Sequence, residues 1–319
     1  MCPVATILEQ LCTNMIAVKI EVIVNSHSGP GHEPGLEDRL ANAFAAAGAE
    51  ARISMAANGA EISQLAQAAA QGDADIVVAG GGDGTVNSIA SAIIDTNKTL
   101  SVLPFGTMNH FAKDLLIPLD FDGAVQTILA GNVTLVDVGT VNDHIFINNS
   151  SLGLYPSIVR EREKHQKLGW GKWPAFIWAA FGVLRRYPFL DIKIGVDGNE
   201  QRSRTPFIFI GNNEYEMETL NIGHRACLDK GQLSLYITNR VSRLDLIRLA
   251  FHALFGGLSQ EKDFTAMCTP EVRIDSKHHR LRVALDGEVT VMTPPLYYRT
   301  RPAALRVLTP APQATEPGS

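Results

Sequence analysis

Hydrophobic positions in the first 140 residues follow two alternating patterns. Stretches with apolar residues at helical spacing predict helices at 36–47 and 60–70. Short runs rich in β-branched residues predict strands at 16–25, 49–55, 75–79 and 100–103. Strands that alternate with helices indicate a parallel sheet covered on both faces. The predicted fold class of residues 16–138 is therefore a doubly wound parallel α/β domain.

The pattern changes after residue 139. Pairs and triplets such as Asn142-Asp143 and Asp197-Gly198-Asn199 are typical of hairpin turns. Short strand-like runs between such turns occur at 141–148, 190–196, 205–210, 232–238, 271–274, 281–285 and 289–292. Residues 139–310 are therefore predicted to form a β-sandwich-like domain with helical insertions. The last strand, 303–308, is free to return to the first domain, and residues 1–15 and 311–319 are predicted to be loose termini.

One insertion combines basic and aromatic residues. Five Lys and Arg residues lie between 160 and 172, and an apolar segment follows at 173–184. All three tryptophans lie between 170 and 178. This composition suits an interfacial helix at anionic lipid, and it equally suits a buried helix after a solvated basic turn. For the amphipathic helix predicted at 241–255, core packing is the favoured interpretation.

A glycine-rich stretch joins a predicted strand to a predicted helix at Val77 to Asn87. Glycines let the backbone approach an anion closely, and a helix start offers unpaired N–H groups. Asp83 would repel a phosphate unless a cation such as Mg²⁺ stands between them. The loops after two other strands, at Asn25 to Gly29 and around Thr107, are predicted at the same edge of the sheet, where such folds bind ligands. The alternative is a glycine-rich turn with no ligand.

The overall composition excludes some classes of protein. The net charge is −5 and the pI is about 6.0, so no global basic field indicates nucleic-acid binding. The 4 cysteines are scattered, which favours reduced thiols in a cytoplasmic protein. No apolar run reaches the roughly 18 residues that a membrane-spanning helix needs.

Two motifs together carry a family resemblance. The segment Gly81 to Asn87, GGDGTVN, and the segment Leu103 to Asn109, LPFGTMN, resemble the catalytic domain of the diacylglycerol kinase family. The GGDGT segment also resembles a motif of NAD kinases and 6-phosphofructokinases. The LPFGTMN segment narrows the resemblance to the lipid kinases. The resemblance implies that ATP is bordered by Asn25, Ser26, His27, Ser28, Gly29, Gly81, Gly82, Asp83, Gly84, Thr85, Val86, Asn87 and Thr107. Ser26 stands where the family usually has proline.

The resemblance also implies a catalytic turn and a metal site. On the pattern alone, Leu285-Asp286-Gly287-Glu288 is a hairpin. In the family this turn carries the proposed general base, so either Asp286 or Glu288 could be that base. Asp286 is favoured for taking the proton and Glu288 for metal binding or positioning. Many bacterial relatives have Asp-Asp-Gly at this point, and the aspartate directly before the glycine helps to hold a structural Mg²⁺. Here Lys230 stands at that position, which leaves Asp229, with Asp83, as the predicted metal ligands.

The function that follows is an ATP- and Mg²⁺-dependent kinase of a lipid hydroxyl, on diacylglycerol or a related lipid. It is expected to be cytoplasmic and to contact a membrane surface peripherally, with a homodimer left open and no nucleic-acid partner. Two alternatives are a kinase of a soluble substrate such as NAD and a nucleotide-binding regulatory protein without transfer activity.

Overall fold

The computed structural model describes residues 18–153, 189–196, 198–218, 221–225, 228–238 and 264–311. The basic, tryptophan-containing insertion, the helix predicted at 241–255 and nearly all of both termini lie outside these residues. The described residues form two compact units. One holds the residues up to Val136 and from Ala303 onward, and the other holds those from Asp137 to Pro302. The boundary predicted at residue 138 lies two residues beyond this division.

The first unit is built on a parallel sheet. Its strands are β1 (Lys19–Asn25), β2 (Glu50–Ala56), β3 (Ile76–Gly81) and β4 (Thr99–Pro104), in the order β2-β1-β3-β4. Its helices are α1 (Leu36–Ala46), α2 (Gly59–Gln71), α3 (Asp83–Ile93), α4 (His110–Asp114) and α5 (Phe121–Ala130), with a 3₁₀ helix at Gly29–His32. At the end of the chain, Val307 pairs with Leu100 of β4 in parallel.

Apolar faces of the helices bury this sheet. The core contains Val22, Val24 and Val78 from the strands, packed with Leu40 and Phe44 of α1. Both α2 and α3 contact β-strands of the sheet and each other. The burial of each of these apolar side chains stabilises the unit by roughly 1.5–3 kcal/mol. The predicted α/β domain with a parallel sheet is confirmed.

Two helices were not predicted. Helix α5 has clear signals at both ends: the Asp120 side chain accepts a hydrogen bond from the Gly123 N–H, and Gly131 ends the helix at φ 68°. Helix α4 begins after Asn109, whose φ is 49°. It has only five residues, which is too short for a periodic apolar pattern to reveal.

The second unit consists of antiparallel strands. They begin with the last residues of β5 (Val133–Val141) and end with the first residues of β18 (Leu296–Leu308). Between them lie β6 (His144–Phe146), β7 (Asn149–Gly153), β8 (Leu190–Val196), β9 (Asn199–Thr205), β10 (Phe207–Asn212), β11 (Tyr215–Glu218), β12 (Asn221–Arg225), β13 (Leu233–Thr238), β14 (Phe264–Thr269), β15 (Glu271–Ser276), β16 (Leu281–Leu285) and β17 (Glu288–Met292).

These strands pack as two layers around one core. Strand β15 pairs with β18 and β8, and β8 pairs with β9. A second sheet has the order β14-β13-β10-β7-β16-β17. Apolar residues of both sheets, such as Ile192, Ile274, Ile210 and Val283, share one buried cluster. The predicted β-sandwich-like domain is confirmed. Among the described residues, every helix is too short or too polar to cross a bilayer.

Candidate functional site

The carboxyl ends of three parallel strands lie side by side in the first unit. Val24 of β1 is level with Gly80 of β3, and Gly81 is level with Pro104 of β4. The three loops that leave these strands therefore start at the same edge of the sheet. This is the edge at which open α/β sheets bind ligands.

Glycines let these loops touch backbone to backbone. Gly29 has a φ of 43°, and a Cβ atom on it would lie 2.4 Å from the carbonyl oxygen of Phe105. A Cβ atom on Gly106 would lie 2.4 Å from the Cα atom of Gly82. No side chain fits at either position without moving main chain. The GGDGT loop and the LPFGTMN loop are thus in direct contact, which the sequence motifs alone do not show.

The loop after β1 is shaped by its own polar side chains. The Asn25 Oδ1 accepts a hydrogen bond from the His27 N–H (3.0 Å), and the Ser28 hydroxyl donates to the Asn25 carbonyl (2.9 Å). The Ser26 hydroxyl donates to the Ala56 carbonyl at the end of β2 (2.9 Å). His27 is exposed and lies edge-on to the ring of His32. These bonds fix the course of the loop and leave the His27 ring facing solvent.

The start of α3 is suited to an anion. Gly82 precedes the helix and no side chain caps it, so the first N–H groups at the positive end of the helix dipole have no capping side chain as a partner. Gly81 leaves room for Thr85, since a Cβ atom on Gly81 would lie 2.4 Å from the Thr85 Oγ1. Gly84 is half-buried, and Val86 packs in the core. The buried Oδ1 of Asn87 has no hydrogen-bond partner among the described residues. A buried acceptor without a protein partner calls for an explanation such as a bound water or ion.

Asp83 has partners that the sequence did not reveal. Its carboxylate accepts hydrogen bonds from the N–H groups of His110 (3.2 Å) and Phe111 (3.1 Å) at the start of α4. Asp83 therefore ties the GGDGT loop to the segment after β4. Each of these carboxylate oxygens accepts one N–H group and keeps a second lone pair, which could bind a cation. The cation at Asp83 therefore stays a prediction.

Sequence reasoning missed the role of Asn109 in the same region. Its side-chain amide donates to the carbonyls of Pro104 (2.9 Å) and Gly106 (2.8 Å), which closes the LPFGTMN turn. Asn109 was visible as a motif residue, and its backbone in the left-handed region favours asparagine. Thr107 lies exposed on this turn.

The second predicted group lies in the other unit, on the hairpin between β16 and β17. Leu285 pairs with Glu288, and Asp286 and Gly287 form the two-residue turn with φ values of 46° and 91°. Both values are positive, as the common hairpin turn of this length requires. Asp286 is half-buried, and its carboxylate accepts hydrogen bonds from the main chain. Glu288 is exposed at the start of β17.

The Asp286 carboxylate binds main-chain N–H groups through both of its oxygens. It accepts N–H groups from Ile147 (2.8 Å), Asn148 (2.8 Å) and Asn149 (2.9 Å). Burial raises the pKa of Asp286 to about 6, and these N–H groups oppose the shift. Such a carboxylate holds its turn in place. Glu288 faces solvent at the same turn, and the roles predicted for the two residues stay predictions.

The raised pKa of Asp286 gives a pH-dependent prediction. The folded protein holds this proton more tightly than the unfolded chain, so the group's contribution to the free energy of unfolding falls as pH rises from about 4 to about 6. Asp286→Asn removes the titration. We expect the difference in unfolding free energy between the wild-type protein and this variant to shrink by about 3 kcal/mol across that range. Urea unfolding at a series of pH values measures it, and parallel curves for the two proteins would contradict the prediction.

The predicted metal ligand Asp229 lies on a turn that protein groups already hold. The Asp137 carboxylate accepts the Gly231 N–H (2.6 Å), and the Asn213 Oδ1 accepts the Lys230 N–H (3.2 Å). The Lys230 ammonium lies 3.4 Å from a Glu214 carboxylate oxygen. In the part of the chain that the structure describes, no three His, Cys, Asp or Glu residues are grouped to hold a metal. A Lys230 ammonium that pairs with Glu214 does not suit a divalent cation at this turn, and the metal site at Asp229 stays a prediction.

Removal of divalent metal is therefore expected to leave stability unchanged. We expect the melting temperature of the wild-type protein in EDTA to lie within about 1 °C of that in Mg²⁺, because a ligand stabilises only a fold that binds it. Lys230→Asp removes the ammonium and adds a carboxylate beside Asp229, and this variant should gain stability from Mg²⁺. Differential scanning calorimetry measures both, and a fall of several degrees for the wild-type protein in EDTA would contradict the prediction.

Comparisons with known proteins agree with this arrangement of two units. Residues 19–141 match the diacylglycerol kinase catalytic domain, and residues 155–309 match the YegS C-terminal NAD kinase beta sandwich-like domain. A diacylglycerol kinase of Staphylococcus aureus (strain JH9) is 30% identical over 174 residues. That match spans 54% of this chain and 55% of the relative, so it covers about half the length of either protein.

Solved structures show the same fold. A diacylglycerol kinase from Bacillus anthracis str. Sterne is 20% identical with a TM-score of 0.66, over 92% of this chain and 97% of that chain. Yeast NADH kinase in complex with NADH is 12% identical with a TM-score of 0.52, over 93% of this chain and 85% of that chain. At these identities the likeness concerns the fold alone. The two domain matches, which account for most of the chain, show that this protein belongs to the diacylglycerol kinase family.

Proposed function

We propose that this protein transfers the γ-phosphoryl group of ATP to a hydroxyl group of a lipid, diacylglycerol or a close relative. The observation that carries the proposal is the contact between Gly82 and Gly106. It joins a phosphate-type loop, which several kinase families share, to the LPFGTMN turn, which resembles lipid kinases. The chain therefore combines a general nucleotide-binding element with a family-specific one.

The first unit supplies the nucleotide half of the reaction. The open N–H groups at the start of α3 and the glycine backbone beside them donate hydrogen bonds to phosphate oxygens. Asp83 and Asn109 hold the adjoining loops in the shape that this contact needs. Mg²⁺ bound with ATP would supply charge neutralisation at the phosphates, and Asp83 is the residue of this unit that would hold it. Positioning and charge stabilisation account for most of the rate enhancement in such transfers.

The second unit supplies the acceptor half. Glu288 accepts the proton of the lipid hydroxyl, because its carboxylate is exposed and lies on a turn whose geometry is fixed. Asp286 fixes that turn through its three hydrogen bonds to main-chain N–H groups. This division of roles exchanges the two assigned from the sequence.

A lipid substrate implies that this cytoplasmic protein binds peripherally to a membrane surface. The insertion with basic residues at 160–172 and tryptophans at 170–178 has a composition that favours anionic lipid. A homodimer is compatible with this activity and is not needed for it. Nucleic acid is not a partner in the proposal, since the net charge is −5.

One assay separates the proposed function from its alternatives. The purified protein is incubated with γ-labelled ATP, Mg²⁺ and vesicles that contain diacylglycerol, sphingosine or phosphatidylglycerol, and in parallel with NAD in solution. Label in the lipid extract supports the proposal. Label on NAD alone replaces it with a soluble-substrate kinase, and ATP binding without any labelled product favours a regulatory protein.

A further inference from the structure

A short segment of the second unit, Ile147 to Asn149, is held from two sides. On one side its three N–H groups donate to the Asp286 carboxylate. On the other side the Arg225 guanidinium donates to the Ile147 carbonyl (2.6 Å) and to the Asn148 Oδ1 (2.8 Å). Asp286 and Arg225, which are far apart in sequence, thus both form hydrogen bonds to this segment. We call Arg225, this segment and Asp286 the clamp.

Two further side chains complete the clamp. The Asn212 amide donates to the Ile147 carbonyl (3.0 Å), and the Tyr215 hydroxyl donates to the Asn148 carbonyl (3.0 Å). Arg225 also donates to the Asn212 carbonyl (3.2 Å) and lies 5.7 Å from the Tyr215 ring centroid. Every carbonyl and N–H group of residues 147 and 148 therefore has a partner.

The clamp is buried, which makes each of its members costly to remove. Arg225 is 4% exposed, Asn148 is 4% exposed and Asn212 is 0% exposed. A buried guanidinium is tolerated only when its donors find acceptors, and loss of one partner leaves the others unsatisfied. The hydrophobic pattern of the sequence gives no reason for a charge at position 225. Its partners lie at 147, 148 and 212, too far away in sequence for local patterns to connect.

We propose that Arg225 is a positioning residue for Glu288. Arg225 fixes the segment from Ile147 to Asn149, the segment fixes Asp286, and Asp286 fixes the turn on which Glu288 stands. The proposal rests on the proposed function, in which Glu288 accepts the proton of the lipid hydroxyl. Arg225 touches neither substrate in this account and acts only through the clamp.

The geometry requires arginine in particular. The two terminal nitrogens of the guanidinium reach acceptors on different residues at the same time. A lysine ammonium is a single point charge on a flexible stem and lacks this rigid fork. Arg225→Lys should therefore keep the charge and lose part of the positioning, whereas Arg225→Met should lose both.

Steady-state kinetics on lipid vesicles test the positioning role. We expect kcat to fall about 10²-fold in Arg225→Met, because small misplacements of a catalytic group have effects of that size. KM for ATP should stay within about twofold, and Arg225→Lys should lie between the wild-type protein and Arg225→Met. The matched control is Thr205→Val, which removes buried hydrogen bonds in the same unit but outside the clamp. Its kcat should match the wild-type value at a temperature where all variants are folded.

A second measurement tests, without any substrate, whether Arg225 and Asp286 stabilise the fold together. Urea unfolding of Arg225→Met, Asp286→Asn and the double variant forms a double-mutant cycle. We expect the loss in the double variant to be clearly smaller than the sum of the two single losses, since either change already disables the clamp. If Arg225→Met does not fold, Arg225→Lys takes its place in the cycle.

The two measurements separate the possible failures. Additive losses in the cycle, or an unchanged kcat in Arg225→Met, would overturn the proposal. A fall in kcat of the same size in Thr205→Val would overturn it too, because general destabilisation would then explain the effect. A wild-type protein that labels no lipid counts against the proposed function, while the cycle still decides whether the clamp exists.

Discussion

Glu288→Gln is expected to lower the rate of lipid phosphorylation by about 10²–10⁴-fold, which is the usual contribution of a general base. The amide keeps the size and the polarity of the side chain but cannot accept the proton of the hydroxyl group at neutral pH. Binding of ATP should be unchanged, because the GGDGT loop and the start of α3 lie in the other unit. Turnover with labelled ATP and ATP titration by calorimetry measure the two quantities.

The matched control for this variant is Glu200→Gln, another exposed glutamate on a strand of the same unit. It should retain wild-type turnover. Full activity in Glu288→Gln would remove this residue from the mechanism. If Asp286→Asn then lost all transfer while its unfolding free energy stayed at the wild-type value, the original assignment of Asp286 as the base would be restored.

Gly106→Ala is expected to weaken ATP binding by about tenfold or more, a change of about 1.4 kcal/mol. The added methyl group would lie 2.4 Å from the Gly82 Cα and 2.6 Å from the Asn109 Oδ1. These distances are too short for a methyl group, and a shift of main-chain atoms costs free energy. The GGDGT and LPFGTMN loops must therefore separate. Overpacking of this kind costs about 1–3 kcal/mol. Isothermal titration with Mg²⁺-ATP measures the affinity, and thermal unfolding measures the stability.

The matched control is Gly59→Ala, at the start of α2. A Cβ atom on Gly59 meets nothing within 4 Å, and alanine favours a helix, so stability should be equal or slightly higher and ATP affinity unchanged. Wild-type ATP affinity in Gly106→Ala would show that close contact between the two loops is not needed for nucleotide binding.

Much of the fold could be predicted because the strands have strong local signals. Asp75 to Ala79 is a largely apolar run that ends in glycines, and the structure places β3 at Ile76–Gly81, all of it buried. Short elements such as α4 carry too few residues for a period to emerge. The helix α5 could have been found, since Asp120 and Gly131 mark both of its ends.

The sequence predicted which loops lie together better than it predicted what their individual side chains do. Parallel strands end at one edge, so the convergence of the loops after β1, β3 and β4 followed from topology. The role of Asp83 did not follow, because its partners at His110 and Phe111 are set by how two loops pack. Asp286 and Arg225 show the same limit: their common partner, the segment at 147–149, is more than 70 residues from either.

The lipid kinase activity can be measured as transfer of label from γ-labelled ATP to diacylglycerol in vesicles, with wild-type protein and Glu288→Gln side by side. We expect labelled lipid phosphate from the wild-type protein in the presence of Mg²⁺, and about 10²–10⁴-fold less from the variant. Equal label from both proteins would contradict the assigned mechanism. No labelled lipid from a wild-type protein that binds ATP would contradict the lipid kinase itself.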